Sequence, residues 1–193
     1  MRVIRRTTLV ISVLVIVALG VRFFGGSFTS RGALLPMLHS RKNATVVDDL
    51  NFGWAQVYVV KTNSGYVTAV VQRQGLFWHL LATGVTNKTS DPVQTISRSS
   101  VDVNGHQLGV LAVETTTTHV RAIEVGPLKG GPTSQIQKKI ITPGHPIVFT
   151  WKSTIVNYQA VALSNKGKEL YYYGYPKNTN TINSSQLRWY PAS

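Results

Sequence analysis

Apolar and polar positions change rhythm twice along the chain. Residues 7–21 form an unbroken uncharged run, TTLVISVLVIVALGV, preceded by Arg2, Arg5 and Arg6. From about residue 54 the apolar positions recur every second residue and are dominated by Val, Ile, Thr and aromatics, the pattern of half-buried β-strands. Between the two lies 25–46, GGSFTSRGALLPMLHSRKNATV, where isolated apolar residues follow no period among Gly, Ser and Pro. This stretch reads as a linker, with room for one short helix over 34–38.

The first run reads as a membrane anchor. Counted from residue 7 through Arg22 to Phe24, it gives a helix of about 27 Å at ~1.5 Å per residue. That suffices for a thin hydrocarbon core if Arg22 snorkels and Phe23 and Phe24 sit at the interface. The arginines before it hold the N-terminus in the cytoplasm and send the rest outside. The competing reading is a signal peptide cleaved near Gly20, after the small-x-small triplet Ala18-Leu19-Gly20, which would release a secreted protein. Arg22, two residues past Gly20, favours the anchor, as do Phe23 and Phe24 at the interface. The expected organisation is a basic cytoplasmic segment (1–6), a signal-anchor helix (7–24), a linker (25–46) and an extracytoplasmic β-domain (47–193).

Within the β-region, residues 54–62 and 66–73 flank Asn63-Ser64-Gly65 as a hairpin, and residues 76–83 add a third strand to a meander. Asn104-Gly105 between two apolar runs is the chain's clearest turn signal, because this pair suits a type I′ turn. Four threonines at 115–118 form either a turn, pairing the strands on each side, or a crossing point between long strands. Residues 126–146 hold four prolines and four glycines and read as a long loop, with IQKKII as a short edge strand. IVFTW and IVNYQAVAL are expected to pair, and SNKGK turns the second of them into ELYYYGY. The expected fold is mainly β: an antiparallel β-sandwich, or a partly open barrel, of roughly nine to eleven short strands after one transmembrane helix. A split near residue 90 into two small β-domains is the alternative.

Composition narrows the partners. The chain has no Cys, which excludes disulfides and thiolate metal sites and suits a bacterial envelope. Net charge is +13; after Arg31 the remaining chain carries 15 Lys/Arg against seven Asp/Glu, a surplus of +8. Such a surface attracts lipid headgroups, acidic wall polymers or an acidic protein. Nucleic acid is disfavoured, since few basic residues interleave with the aromatics and the domain lies outside the cytoplasm.

Chemistry-bearing groups are sparse. The five histidines (39, 79, 106, 119, 145) show no ligand spacing, so neither a metal nor a cofactor is expected. No G-x-S-x-G or phosphate-cradling glycine motif occurs. If the strands on either side of the threonine run pair, Glu114 faces His119 with Arg121 nearby, a cross-strand ion pair or an anion subsite. Glu114 with Glu124 is the one carboxylate pair on which a hydrolase could be built. The richest signal is aromatic: in YYYGY, Tyr171, Tyr173 and Tyr175 share one face and Tyr172 takes the other, with Trp189 and Tyr190 further on. Exposed tyrosines on a sheet can stack on sugar rings. The expected function is therefore non-catalytic binding of an anionic envelope polymer or protein partner. An accessory or scaffold subunit of a membrane complex is the second reading, and a Glu114/Glu124 hydrolase the third.

Overall fold

A computed structural model describes residues 11–13, 15, 17, 19–20, 25–85, 90–127, 135–153, 158–177, 183 and 186–192. Among them are thirteen strands, all in antiparallel sheets, so the protein is mainly β. The chain divides into two compact units, residues 1–63 with 69–83 and residues 64–68 with 84–193.

The first unit is built on a five-stranded sheet in the order β1-β5-β4-β3-β2, comprising Gly26–Ser27, Phe77–Val85, Gly65–Gln74, Ala55–Thr62 and Thr45–Asn51. The opening residues of β4 count with the second unit. Strands β3, β4 and β5 are the expected meander; β1 and β2 extend it into the stretch read as a linker. That stretch is folded, and it also contains a helix, α1, over Ser30–Ser40. Thr29 caps it by accepting from the Gly32 amide at 3.0 Å, satisfying a donor the helix start leaves orphaned. Ala33, Leu34 and Met37 then fall on one buried stripe. Ser30 Oγ meets the Tyr58 hydroxyl at 2.7 Å, tying the helix to β3. Pro36 inside the helix removes one backbone bond, so the docked stripe rather than propensity holds it.

The described residues between 11 and 20 are helical, and Ile11, Val13, Val15, Val17 and Leu19 are 44–63% exposed. Among the described residues no helix is long and apolar enough to cross a membrane. Of the expected 7–24 anchor, residues 7–10, 14, 16, 18 and 21–24 lie outside the described residues, as does the basic segment 1–6.

The second unit holds two sheets. One has the order β10-β7-β6, from Ile147–Trp151, His106–Thr115 and Val93–Val103. The other has the order β13-β12-β11-β8-β9, from Arg188–Pro191, Glu169–Gly174, Tyr158–Leu163, Ala122–Pro127 and Gln137–Ile140. One apolar cluster draws on both: Val93, Leu111, Val113, Phe149 and Trp151 from the first, Ile123, Val125, Ala160, Ala162 and Trp189 from the second. The sheets are also tied at both margins. Trp189 Nε1 donates to Thr95 Oγ1 at 3.0 Å. At the other margin Gln137 Nε2 and Lys139 Nζ donate to the Thr150 and Val148 carbonyls at 2.7 and 2.5 Å. Those two side chains occupy acceptors on the outer edge of β10, which an unprotected edge strand would offer to another chain.

Two expected pairings do not form. β7 pairs with β6 and β10, whereas β8 pairs with β11 and β9, so the threonine run is the crossing between sheets and not a hairpin turn. Its polar groups are held from elsewhere: Thr115 Oγ1 and the Thr116 amide both donate to the Pro92 carbonyl, at 2.9 and 3.0 Å. Val120, fully buried, anchors the crossing in the core. Likewise β10 and β11 lie in different sheets instead of pairing.

The Asn104-Gly105 turn forms as read, with φ of +52° and +76°. Only glycine takes such angles without strain, and Asn tolerates them better than other residues. Gly105→Val should therefore lower stability by about 1–2 kcal/mol, measured by urea denaturation, whereas Gln107→Ala on the exposed strand beyond should change it by under ~0.5 kcal/mol.

Candidate functional site

Register across the five-stranded sheet sorts its aromatics by face. One transverse row reads Tyr190, Tyr172, Val161, Glu124 and Lys138 from β13 to β9. The adjacent row reads Trp189, Tyr173, Ala160, Val125 and Gln137. Since successive residues of a strand point to opposite faces, and Trp189, Ala160 and Val125 belong to the core, the Tyr190–Lys138 row faces outward. At ~4.8 Å between strands it runs for about 19 Å.

The aromatic end of this row is built as a platform. The Tyr172 and Tyr190 rings stack 5.7 Å apart with a 27° interplanar angle. Two cations cover them: Lys177 Nζ lies 5.2 Å from the Tyr172 centroid and Arg188 Cζ 5.1 Å from that of Tyr190. Exposed contacts of this kind contribute roughly 0.5–1 kcal/mol each. The hydroxyls are spoken for locally, Tyr172 donating to the Tyr175 carbonyl at 3.3 Å and Tyr190 to that of Gln186 at 2.8 Å. Both rings are thus held in place while remaining partly exposed. Beside them, a depression of about 70 Å³ is lined by Val161, Gln159, Glu124 and Glu169, among others.

The other tyrosines have different duties. Tyr171 and Tyr173 pack against the core, as the alternation required. Tyr175 follows β12, half-buried. Trp189 is buried and lies 5.5 Å from the Tyr173 ring, so it builds the core beneath the platform and is not part of the surface.

Burial pushes the Tyr173 hydroxyl above its ordinary value of 10; the neighbouring Tyr175 adds to this, while Arg98 and a hydrogen bond with Thr95 oppose it. A raised folded value means that the unfolded chain loses this proton first. Stability is therefore unaffected by the group below about pH 10 and falls as pH rises from there through the folded value. Tyr173→Phe should flatten that alkaline decline relative to wild type, read as melting temperature between roughly pH 8 and 11.

Glu114, His119 and Arg121 are not assembled as expected, because the crossing at 115–121 replaces the hairpin. Glu114 sits on β7 opposite Gln94 of β6, in a different sheet from Glu124. The same crossing puts the two glutamates on separate sheets, in place of one carboxylate pair. His119 and Arg121 instead line an open pocket of about 460 Å³ with Thr118, Ser164, Asn165 and Leu170. Ser164 and Asn165 belong to the turn between β11 and β12. That turn closes through the Ser164 amide to the Lys168 carbonyl at 2.8 Å and the Gly167 amide, at φ +77°, to the Ser164 carbonyl at 3.1 Å. The sequence marks it as a turn, but nothing local to it points to Arg121, more than forty residues earlier.

Among the described residues no group of three or more His, Asp or Glu could hold a metal. No protein-family model matches the chain, and comparison with curated proteins and with solved structures finds no significant match.

Proposed function

We propose that this is an exported, membrane-tethered β-protein whose second unit, an antiparallel sandwich closing toward a barrel, binds an anionic, sugar-bearing polymer of the cell envelope. The observation that carries the reading is the outward Tyr172–Tyr190 stack with Lys177 and Arg188 over its rings. Flat aromatic faces suit the apolar faces of sugar rings, and the two cations suit acidic substituents on the same chain. Glu124, Gln159 and Glu169 beside the stack are acceptors for sugar hydroxyls and would repel acidic groups there. A ligand with alternating neutral and anionic parts fits this division. Tethering is supported by Arg2, Arg5 and Arg6 before the apolar run and by the exposed side chains of Ile11, Val13, Val15, Val17 and Leu19.

The full chain in neutral detergent should co-sediment with purified envelope polymer and be released as salt rises, because charge attraction is screened. Failure to bind at low salt contradicts the reading.

A protein partner is the second reading. It is favoured by Ile136 and Ile140, 44% and 72% exposed at and beside the edge strand β9, where a partner's strand could add to the sheet. Crosslinking in intact membranes that yields one defined protein adduct through β9 supports it, and the absence of any adduct counts against it.

A further inference from the structure

The pocket between the sheet crossing and the β11–β12 turn is not part of the tyrosine platform, and its lining has a distinct chemistry. Among the described residues its polar side chains are Thr118, His119, Arg121, Ser164 and Asn165, with Leu170 as the apolar wall and no carboxylate in the lining. All five come from two short segments, 118–121 and 164–165, each tied to its surroundings by hydrogen bonds. The Arg121 amide donates to the Leu163 carbonyl at 2.8 Å, and its own carbonyl accepts from the Ile141 amide at 3.1 Å. The base of the arginine is thereby fixed between β11 and the chain leaving β9. On the other side Ser164 Oγ accepts from the Lys168 amide at 3.1 Å, which leaves its proton free to turn toward the pocket. The His119 amide donates to Thr117 Oγ1, at 3.3 Å, bending the crossing so that residues 118 and 119 both reach the cavity.

Arg121 differs from the cations of the platform. Lys177 and Arg188 lie over tyrosine rings, and Lys139 donates to a carbonyl. Among the described residues the Arg121 guanidinium has no hydrogen-bonding or ion-pairing partner. Lys166 and Lys168 in the adjoining turn add positive potential. The nearest acids in sequence, Glu124 to Arg121 and Glu169 to the turn, both line the separate depression on the outer face.

We infer that this pocket is a binding site for a phosphoryl group, with Arg121 as its anchoring charge. A guanidinium presents a planar fork of donors suited to two oxygens of a phosphate, and the hydroxyls, amide and imidazole can serve the remaining oxygens from other directions. A carboxylate, with two oxygens in one plane, would leave several of these donors unused. About 460 Å³ falls within the usual range for ligand pockets, roughly 300–1,000 Å³, so the moiety bearing the phosphoryl group is accommodated with it. The inference does not depend on the tyrosine platform binding a polymer.

The test titrates inorganic phosphate into the full chain in phosphatidylcholine nanodiscs, with ionic strength balanced by chloride. The readout is NMR signals of the His119 ring and of the Thr118, Ser164 and Asn165 amides. Saturable shifts are expected with a midpoint on the order of millimolar, as for a single small anion. Arg121→Ala should weaken binding about tenfold or more, the effect of losing a charged hydrogen-bonding partner. Asn165→Asp, on an exposed turn, should weaken it comparably with an unchanged spectrum elsewhere, which covers the case in which Arg121→Ala disturbs the fold. Acetate should shift the same signals less. Shifts that stay linear with concentration, an Arg121→Ala and Asn165→Asp pair that both titrate like wild type, or acetate equal to phosphate would each overturn the inference. Discs containing phosphatidylglycerol separate the sources. A site already occupied there before phosphate is added assigns the phosphoryl group to a lipid headgroup, and an empty one assigns it to a soluble or polymer-borne phosphate.

Discussion

Replacing Trp189 with Ala is expected to destabilise the second unit by about 3–5 kcal/mol, the usual cost of removing a large buried aromatic. Trp189 is 4% exposed, packs at 5.5 Å against Tyr173 and sits in the cluster shared by both sheets. Its removal also takes away the indole proton that the buried Thr95 Oγ1 accepts. The neighbour in sequence makes the contrast. Tyr190 faces outward in the same strand, so Tyr190→Ala should cost only ~0.5–1 kcal/mol. Urea denaturation followed by far-ultraviolet circular dichroism compares them. Equal losses for the two variants would contradict the assignment of faces on β13. Thr95→Val refines the point: the indole N–H is then buried without an acceptor, at a cost of about 1–3 kcal/mol.

The second large effect is on binding. Tyr172 and Tyr190 are held by stacking and by their hydroxyl bonds, so little ordering remains to be done when a ligand settles on them. Each ring removed should weaken polymer binding about tenfold, or ~1.4 kcal/mol. The double variant should therefore lose about a hundredfold if the two contributions add, and more if one ring positions the other. Removing Tyr172 also frees Lys177 from its ring, and Arg188 loses its platform with Tyr190. The cations remain, so residual binding should be weaker but more steeply dependent on salt.

Local signals were the legible part of this chain. Asn104-Gly105 specifies its own turn through backbone angles, and the alternation in Tyr171–Tyr173 assigns faces without knowledge of any partner strand. What pairs with what was less legible, because hydrogen-bonded neighbours are chosen by the whole sheet. The threonine run is compatible with a hairpin, and only the Pro92 carbonyl and buried Val120 make it a crossing. That single difference moves Glu114 away from His119 and Arg121 and gives those two a pocket with Ser164 and Asn165. The helix over Ser30–Ser40 was obscured by Pro36 and Gly32, whose weak propensities hide a cap at Thr29 and a buried stripe at Ala33, Leu34 and Met37. The platform was half legible: the tyrosines follow from strand period, whereas Lys177 lies past the end of β12 and reaches Tyr172 only in three dimensions.

The central claim is that the Tyr172–Tyr190 face binds an anionic envelope polymer. Its most direct measurement is the dissociation constant of the full chain for purified polymer, with wild type compared to the Tyr172→Ala, Tyr190→Ala double variant at low salt. Stability of the second unit should stay within ~1–2 kcal/mol of wild type, with affinity reduced about a hundredfold. Undiminished affinity in a folded double variant would contradict it.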